Sequence, residues 1–509
     1  MTGSDMVVRE NTLFLFGRDG LQFDGAGAKG TCKAVVTFLE DYVGARWYLP
    51  GPEGAVIPQR RQVVVPKDLD RTVNPAFGYS HGRYAYGTGT PASFANHFRT
   101  ALKVKSYGGH AYTEWLPEKK YFNDHPKYFA LLDGKRVGKG NHLCSSNPEV
   151  AKILLAGIQK DFDSGYDWVA LGQEDGYARC QCETCESLDN YRGGGSFETP
   201  CERILLLYKW IAEQCMISHP DKTVHMIVYG PTRWPSKKFD KLGDNVVTEM
   251  CFIEPKFIDS WNGKVRAMTG YVYWFDITGG PGIGVYAEPA RVAPKIRFLH
   301  EQGFIGLYQF PETNWGLLGP SFYTLGKLMG DPYLDYRVLQ KDYCLDVFGA
   351  AAGPVMNDFF TILYAMPKVR QRIWPQEKLQ ELNALLLQAE KLAVRTPNKE
   401  WVRLTRDHFD YSRLLSRLLT AHNVYKAAPS DKTWAALKDR VEEFDVYRDK
   451  ILRYPESYTD KFFPGHGHFC RYLAGKHIGY RKNWKENRDE ILKKSIRGTR
   501  TRWGSATSP

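Results

Sequence analysis

The run Gly172-Gln173-Glu174-Asp175-Gly176 sets two adjacent carboxyl groups between glycines, directly after the apolar stretch Trp168 to Leu171. Cleavage of a glycosidic bond needs carboxyl groups in pairs. One acid protonates the departing oxygen, while a second carboxylate attacks, activates water or steadies a substituent of the sugar. Neighbours on an ideal strand point to opposite faces, so Glu174 and Asp175 can converge only where the strand has ended, as the flanking glycines allow. Adjacent acids do not suit the usual pair, whose members face each other across the bond at about 5 Å or more. They suit a division of labour in which Glu174 orients a substituent and Asp175 donates the proton. The plain alternative is that acids before glycine shape a turn.

Comparable groups end other apolar stretches: His110, Tyr229, Glu254, Trp274 with Asp276, and Glu312 with Trp315. In a (β/α) barrel the active groups collect at strand ends, where the loops are free to vary. Repetition at successive strand ends favours a shared mouth over a set of unrelated turns. These residues are therefore the candidate sugar contacts.

Five residues beyond Asp175 comes Cys180-Gln-Cys182-Glu-Thr-Cys185. Three thiols in so short a run could hold a structural zinc if a fourth ligand joined them, with Cys144, Cys201 or a nearby His as donor. Disulfides and free thiols compete with that assignment. In each case the cluster braces a loop, and no cofactor is required for the chemistry itself.

The elements that must position these groups fall into three parts. Residues 1–73 read as a small α+β domain, with strands at Leu13 to Phe16, Arg46 to Leu49 and Gln62 to Pro66 and a helix around Ala34 to Tyr42. Residues 74–349 alternate short apolar runs with helical segments, which predicts a TIM-type (β/α) barrel. Asn147-Pro148-Glu149 is a helix start, with a capping Asn, a Pro at the first helical position and an acid. Helices are expected through Phe162, over Glu202 to Ile217 and over Ala290 to Gln302. Strands are expected at Trp168 to Leu171, Val224 to Tyr229, Val246 to Ile253, Tyr271 to Phe275 and Phe304 to Tyr308. Residues 350–480 read as a helical domain, with long stretches at Asp358 to Val394 and Trp401 to Tyr454. Residues 481–509 form a basic tail.

Bulk properties limit the function classes. A chain of 509 residues exceeds what one core usually supports. No run of about 18 apolar residues exists, so no membrane partner is expected. Half of the net charge of +12 falls between Arg481 and Arg502. A basic tail is a solvated terminus more readily than a nucleic-acid footprint, which needs a basic stripe on a folded domain. The start of the chain lacks the apolar stretch of a secretory signal. Aromatic residues make up 14% of the chain, enough to supply both core and flat platforms for sugar rings. Oligomeric state is not legible.

Taken together, several motifs form a recognisable string. They are Phe38-Leu-Glu40 with Gly44-Ala-Arg-Trp-Tyr-Leu-Pro50, His110, Tyr121 to Phe129, Asp133-Gly-Lys-Arg136, Leu143-Cys144, Asn147-Pro148, and Gly172 to Gly176 with its three cysteines. Over roughly residues 30 to 350 the chain resembles the bacterial domain of unknown function 4838, a family related to glycoside hydrolase families 20 (hexosaminidases) and 67 (α-glucuronidases). The resemblance implies a glycoside hydrolase acting on a polysaccharide or glycan, in a family whose members are usually exported to the periplasm or beyond. Family 20 proteins carry an adjacent Asp-Glu pair after the fourth barrel strand, the first residue holding the substrate's acetamido group and the second acting as the acid. Glu174 and Asp175 would correspond, in reversed residue types. An α-glucuronidase-like enzyme, with Arg83 gripping the uronate carboxylate, and a non-catalytic carbohydrate-binding protein are the alternatives.

Overall fold

The computed structural model describes residues 3–17, 19, 30–49, 54–82, 95, 104–105, 109–189, 199–272, 274, 288–309, 315–366 and 374–451. The chain begins with a hairpin, β1 (Ser4–Arg9) and β2 (Thr12–Gly17), in antiparallel register. Its turn residues Glu10 and Asn11 both take positive φ, which matches the right-handed twist of the flanking strands. The helix α1 (Gly30–Phe38) follows and widens into a π turn at Leu39–Val43. The expected strand at Gln62 to Pro66 is not one. The third strand of this sheet is instead β3 (Asp70–Val73), which pairs with β1. Pro58 and Pro66 flank the unpaired stretch, and a proline offers no ladder donor.

Seven parallel strands make the second sheet: β4 (Tyr79–Gly82), β5 (Val104–Lys105), β6 (Trp168–Leu171), β7 (Thr223–Val228), β8 (Gly243–Met250), β9 (Val265–Val272) and β10 (Phe304–Gln309). Their spatial order is β4-β10-β9-β8-β7-β6-β5, so the last strand pairs with the first. That order is the one a barrel needs. Among the described residues no ladder joins β4 to β5, so the closed barrel of the sequence expectation stands here as a curled half-barrel. The strand expected at Tyr271 to Phe275 begins earlier, at Val265.

Alternation along the strands separates two cores. Val169, Leu171, Val224, Met226, Val246, Met250, Met268 and Leu307 join the large cluster under the helices. Tyr79, Trp168, Val247, Tyr271 and Tyr308 form a second cluster. Within it the ring of Tyr79, on the first strand, stacks on Trp168 at 5.2 Å and meets His225 at 5.4 Å. Strands β4 and β6 lie far apart in the ladder order, so this contact crosses a concave interior. The sheet therefore curls around a packed aromatic core.

Helices α2 (Pro148–Asp163), α3 (Glu202–Ser218), α4 (Pro289–Glu301) and α5 (Trp315–Gly330) alternate with the strands. The Asn147 side chain accepts from the Glu149 amide at 2.9 Å, the cap its sequence anticipates. After them come α6 (Tyr336–Ala365), α7 (Gln376–Leu392), α8 (Asn398–Ala427) and α9 (Asp431–Ile451). The helical stretch expected from Asp358 to Val394 holds the end of α6 and all of α7, which starts directly after Pro375. Upstream, α6 kinks at Gly349, where φ is +83°. Tyr48 donates to Asp346 at 2.5 Å and Lys327 pairs with Glu40 at 2.6 Å, tying the N-terminal segment to α6 and α5. Among the described residues no helix is long and apolar enough to cross a membrane. The basic stretch 481–509 lies outside the described residues.

Candidate active site

The acidic pair lies beyond the end of β6, and its loop is laid directly on the loop after β5. A Cβ on Gly172 would overlap the Gly109 carbonyl oxygen, and one on Gly109, where φ is +83°, would overlap the Ile227 side chain. Only glycine permits this approach. The Ala111 amide donates to the Gly172 carbonyl at 3.0 Å, sealing the two loops together.

Gln173 has no exposed surface and fixes the loop through its amide. Its Nε2 donates to the Tyr229 carbonyl at 2.7 Å, and its Oε1 accepts from the Tyr208 hydroxyl at 3.0 Å. Tyr112 donates in turn to Tyr208 at 3.1 Å. Burial pushes both phenols well above their ordinary range, so each stays protonated as a donor. This chain of hydroxyls joins the loop, α3 and the short helix Tyr112–Trp115.

With the strand ended, Glu174 and Asp175 lean to opposite neighbours. The Thr113 amide and hydroxyl both donate to Glu174 Oε1 at 2.7 Å, so this half-buried carboxylate caps the short helix Tyr112–Trp115. Asp175 is exposed, and its Oδ1 accepts from the Tyr229 hydroxyl at 3.0 Å and the Gly176 amide at 2.9 Å. Tyr229 is pushed up to about 12, first by burial and then by Asp175, so it remains a donor. Among the described residues, all of these bonds fall on one oxygen of each acid. His110 donates through Nδ1 to the Gln173 carbonyl at 2.5 Å, which leaves Nε2 as its other functional atom, and its ring meets Tyr229 at 5.8 Å. His142 is held below its ordinary value by burial, with Glu174 opposing that shift. Thus Glu174, Asp175, His110 and Tyr229 come together.

The remaining expected contacts divide. Glu254 is exposed at the start of the helix Pro255–Trp261, after β8. Trp274 is 9% exposed and belongs to the large core under Lys295, and Trp315 is 1% exposed against Phe322. Both tryptophans pack inside the protein. Arg83, Asp276 and Glu312 lie outside the described residues. Sequence reasoning missed Thr113, His142, Arg233 and Glu249. Arg233, three residues past Gly230, covers the Phe252 ring at 4.2 Å, and Phe252 lies parallel to Tyr229. Glu249 lies on the strand face of Val247, inside the sheet. Burial pushes its carboxyl up to about 8, with the Tyr79 hydroxyl partly opposing this. A lone acid within the apolar run Val246 to Cys251 was the available signal.

Behind the acidic loop, the four thiols of Cys144, Cys180, Cys182 and Cys185 lie within 4.8 Å of one another. Cys201, the other cysteine considered as donor, lies instead by the Tyr177 hydroxyl. Asp189 bridges Arg179 at 3.2 Å and Arg203 at 2.7 Å, all three buried, and Arg203 also donates to the Cys180 carbonyl.

The family model described as domain of unknown function DUF4838 matches residues 49–361. No curated protein matches the chain. Among solved structures, a family 89 glycoside hydrolase from Clostridium perfringens in complex with PUGNAc aligns with a TM-score of 0.54 at 10% identity, over 100% of this chain and 72% of that one. A family 115 4-O-methyl-α-glucuronidase with specificity for decorated arabinogalactans aligns at 0.50 and 10% identity, over 100% and 72%. A second Clostridium perfringens family 89 structure, in complex with GlcNAc-α-1,4-galactose, aligns at 0.50 and 9% identity, over 99% and 66%. At such identities the likeness is one of fold alone, to structures that are themselves glycoside hydrolases.

Proposed function

The chain belongs to the DUF4838 family, and we propose that it hydrolyses a glycosidic bond, with Asp175 as the general acid and Glu174 as the orienting or assisting carboxylate. The observation that supports this reading is the splayed pair at the end of β6. Each acid is held through one oxygen by a different neighbouring loop, on a base fixed by Gln173. Two carboxyl groups held apart can take separate tasks on one substrate. Asp175 is the more exposed and meets the leaving group. Glu174, clamped by Thr113, holds a substituent in place. His110 and Tyr229 line the space beside Asp175 and bind the sugar. The β6 strand is third of the sheet strands in chain order among the described residues, so the assignment rests on this chain's own geometry rather than on a fourth-strand position.

The substrate classes of this reading are those of the related hydrolase families. N-acetylhexosaminides and glucuronides are the first to test. A panel of aryl glycosides covering both classes should show turnover. Asp175→Asn should lower kcat roughly 100-fold or more with sugar binding retained, and the deficit should shrink on substrates with good leaving groups. Normal rates in both Asp175→Asn and Glu174→Gln would move the site elsewhere. Sugar binding without turnover across the panel would make the protein a binding protein on a hydrolase fold.

A further inference from the structure

We propose that Cys144, Cys180, Cys182 and Cys185 bind one zinc ion, which clips the loop carrying the acidic pair to the segment that precedes α2. The sulfur spacing is the first argument. Cys144 Sγ lies 3.6 Å from Cys182 Sγ and 3.7 Å from Cys185 Sγ, and all four sulfurs fall within 4.8 Å of one another. Sulfurs at the corners of a tetrahedron with metal–sulfur bonds of about 2.3 Å stand about 3.8 Å apart. A disulfide would bring two of them to about 2.05 Å. Here one sulfur, that of Cys144, is near-equidistant from two others, a spacing that suits a shared central ion.

The surroundings are the second argument. Four thiolates on one zinc leave a net charge of about −2, which needs donors and positive charge around it. The Leu131 amide points at Cys180 Sγ from 3.3 Å, the Arg136 guanidinium lies 3.7 Å from the same sulfur, and Ser146 Oγ lies 3.0 Å from Cys185 Sγ. Arg203 donates to the carbonyl of Cys180. Three of the four cysteines are buried and Cys182 is half-buried, as a closed structural site requires. All four positions are filled by protein, so this ion holds structure and leaves no place for a substrate. The proposal stands independently of the hydrolase reading.

The test uses the full chain purified without chelator or reductant. Elemental analysis should give about one zinc per chain, falling below about 0.2 in Cys144→Ser and staying near one in Cys201→Ala. If Cys144→Ser does not fold, titrating the unaltered protein with a mercurial in the presence of a zinc indicator should release about one zinc as the thiols react. Removing the ion from folded protein should lower Tm by several degrees. Intact-mass analysis after alkylation without reductant that shows disulfides among the four would overturn the proposal. So would four free thiols in a metal-free protein that takes up no added zinc, or a coloured iron centre in its place.

Discussion

Asp189 and Glu249 are both buried acids, and the protein accommodates them in opposite ways. Asp189 sits behind the acidic loop, with no exposed side-chain surface, between Arg179 and Arg203 and on the amide of Arg203. Glu249 sits inside the curled sheet beside Tyr79, where burial alone raises it to about 8 and a proton takes the place of a counter-charge. The first arrangement locks a loop in one geometry. The second leaves a titratable group in the floor beneath the mouth. The loops around Asp175 are thus braced by ion pairs and thiols, while the interior below them stays sensitive to pH.

The largest effect should come from breaking the first arrangement. Asp189→Ala would leave two guanidinium groups buried without their partner, a loss of about 3–5 kcal/mol. Urea unfolding should show a large drop in midpoint. A loss under about 1 kcal/mol would mean that the two sites are not so different after all.

The next effect separates the two acids by pH. Glu249 has a folded value near 8, above the ordinary 4.5, so the folded state binds the extra proton between those limits. Its contribution is therefore fully present below about pH 4.5 and is lost as pH rises toward 8, by roughly 4–5 kcal/mol at most. Glu249→Gln should remove this loss, giving a Tm close to that of the unaltered protein at pH 5 and a higher one at pH 9. Parallel Tm profiles for the two proteins would contradict the buried, neutral Glu249.

The smallest effect concerns an exposed acid that makes no ion pair among the described residues. Tyr229→Phe removes one neutral donor from exposed Asp175 and should change stability by only about 1 kcal/mol or less. It should nonetheless slow turnover several-fold, since the carboxyl would lose its orientation. Unchanged kinetics would show that the hydrogen bond is incidental.

What the sequence revealed follows the range of the interactions involved. Asn147, Pro148 and Glu149 declared their helix because capping is settled within three residues. The acidic loop was visible because glycines on both sides mark a strand that has ended. Glu249 stood out as a lone acid in an apolar run, but a strand buried on both faces shows no alternation that would assign it to the interior. Trp274 and Trp315 read as sugar platforms because an indole serves a core and a platform equally, and only packing separates the two. Cys144 could be named only among several possible partners. Its meeting with the later three cysteines depends on the whole of α2 and β6 coming between them.

The contact of Gly172 with Gly109 has a consequence for tracing ancestry. At 9–10% identity to proteins of similar fold, catalytic residues are poor markers, since acids can be lost or exchanged as substrates change. A bare backbone crossing cannot be exchanged, because any side chain at Gly172 would collide with main chain that has no rotamer to yield. A distant homologue that has abandoned both Glu174 and Asp175 should still carry glycine at these two places. The pair is thus a signature of descent that outlasts the chemistry built upon it.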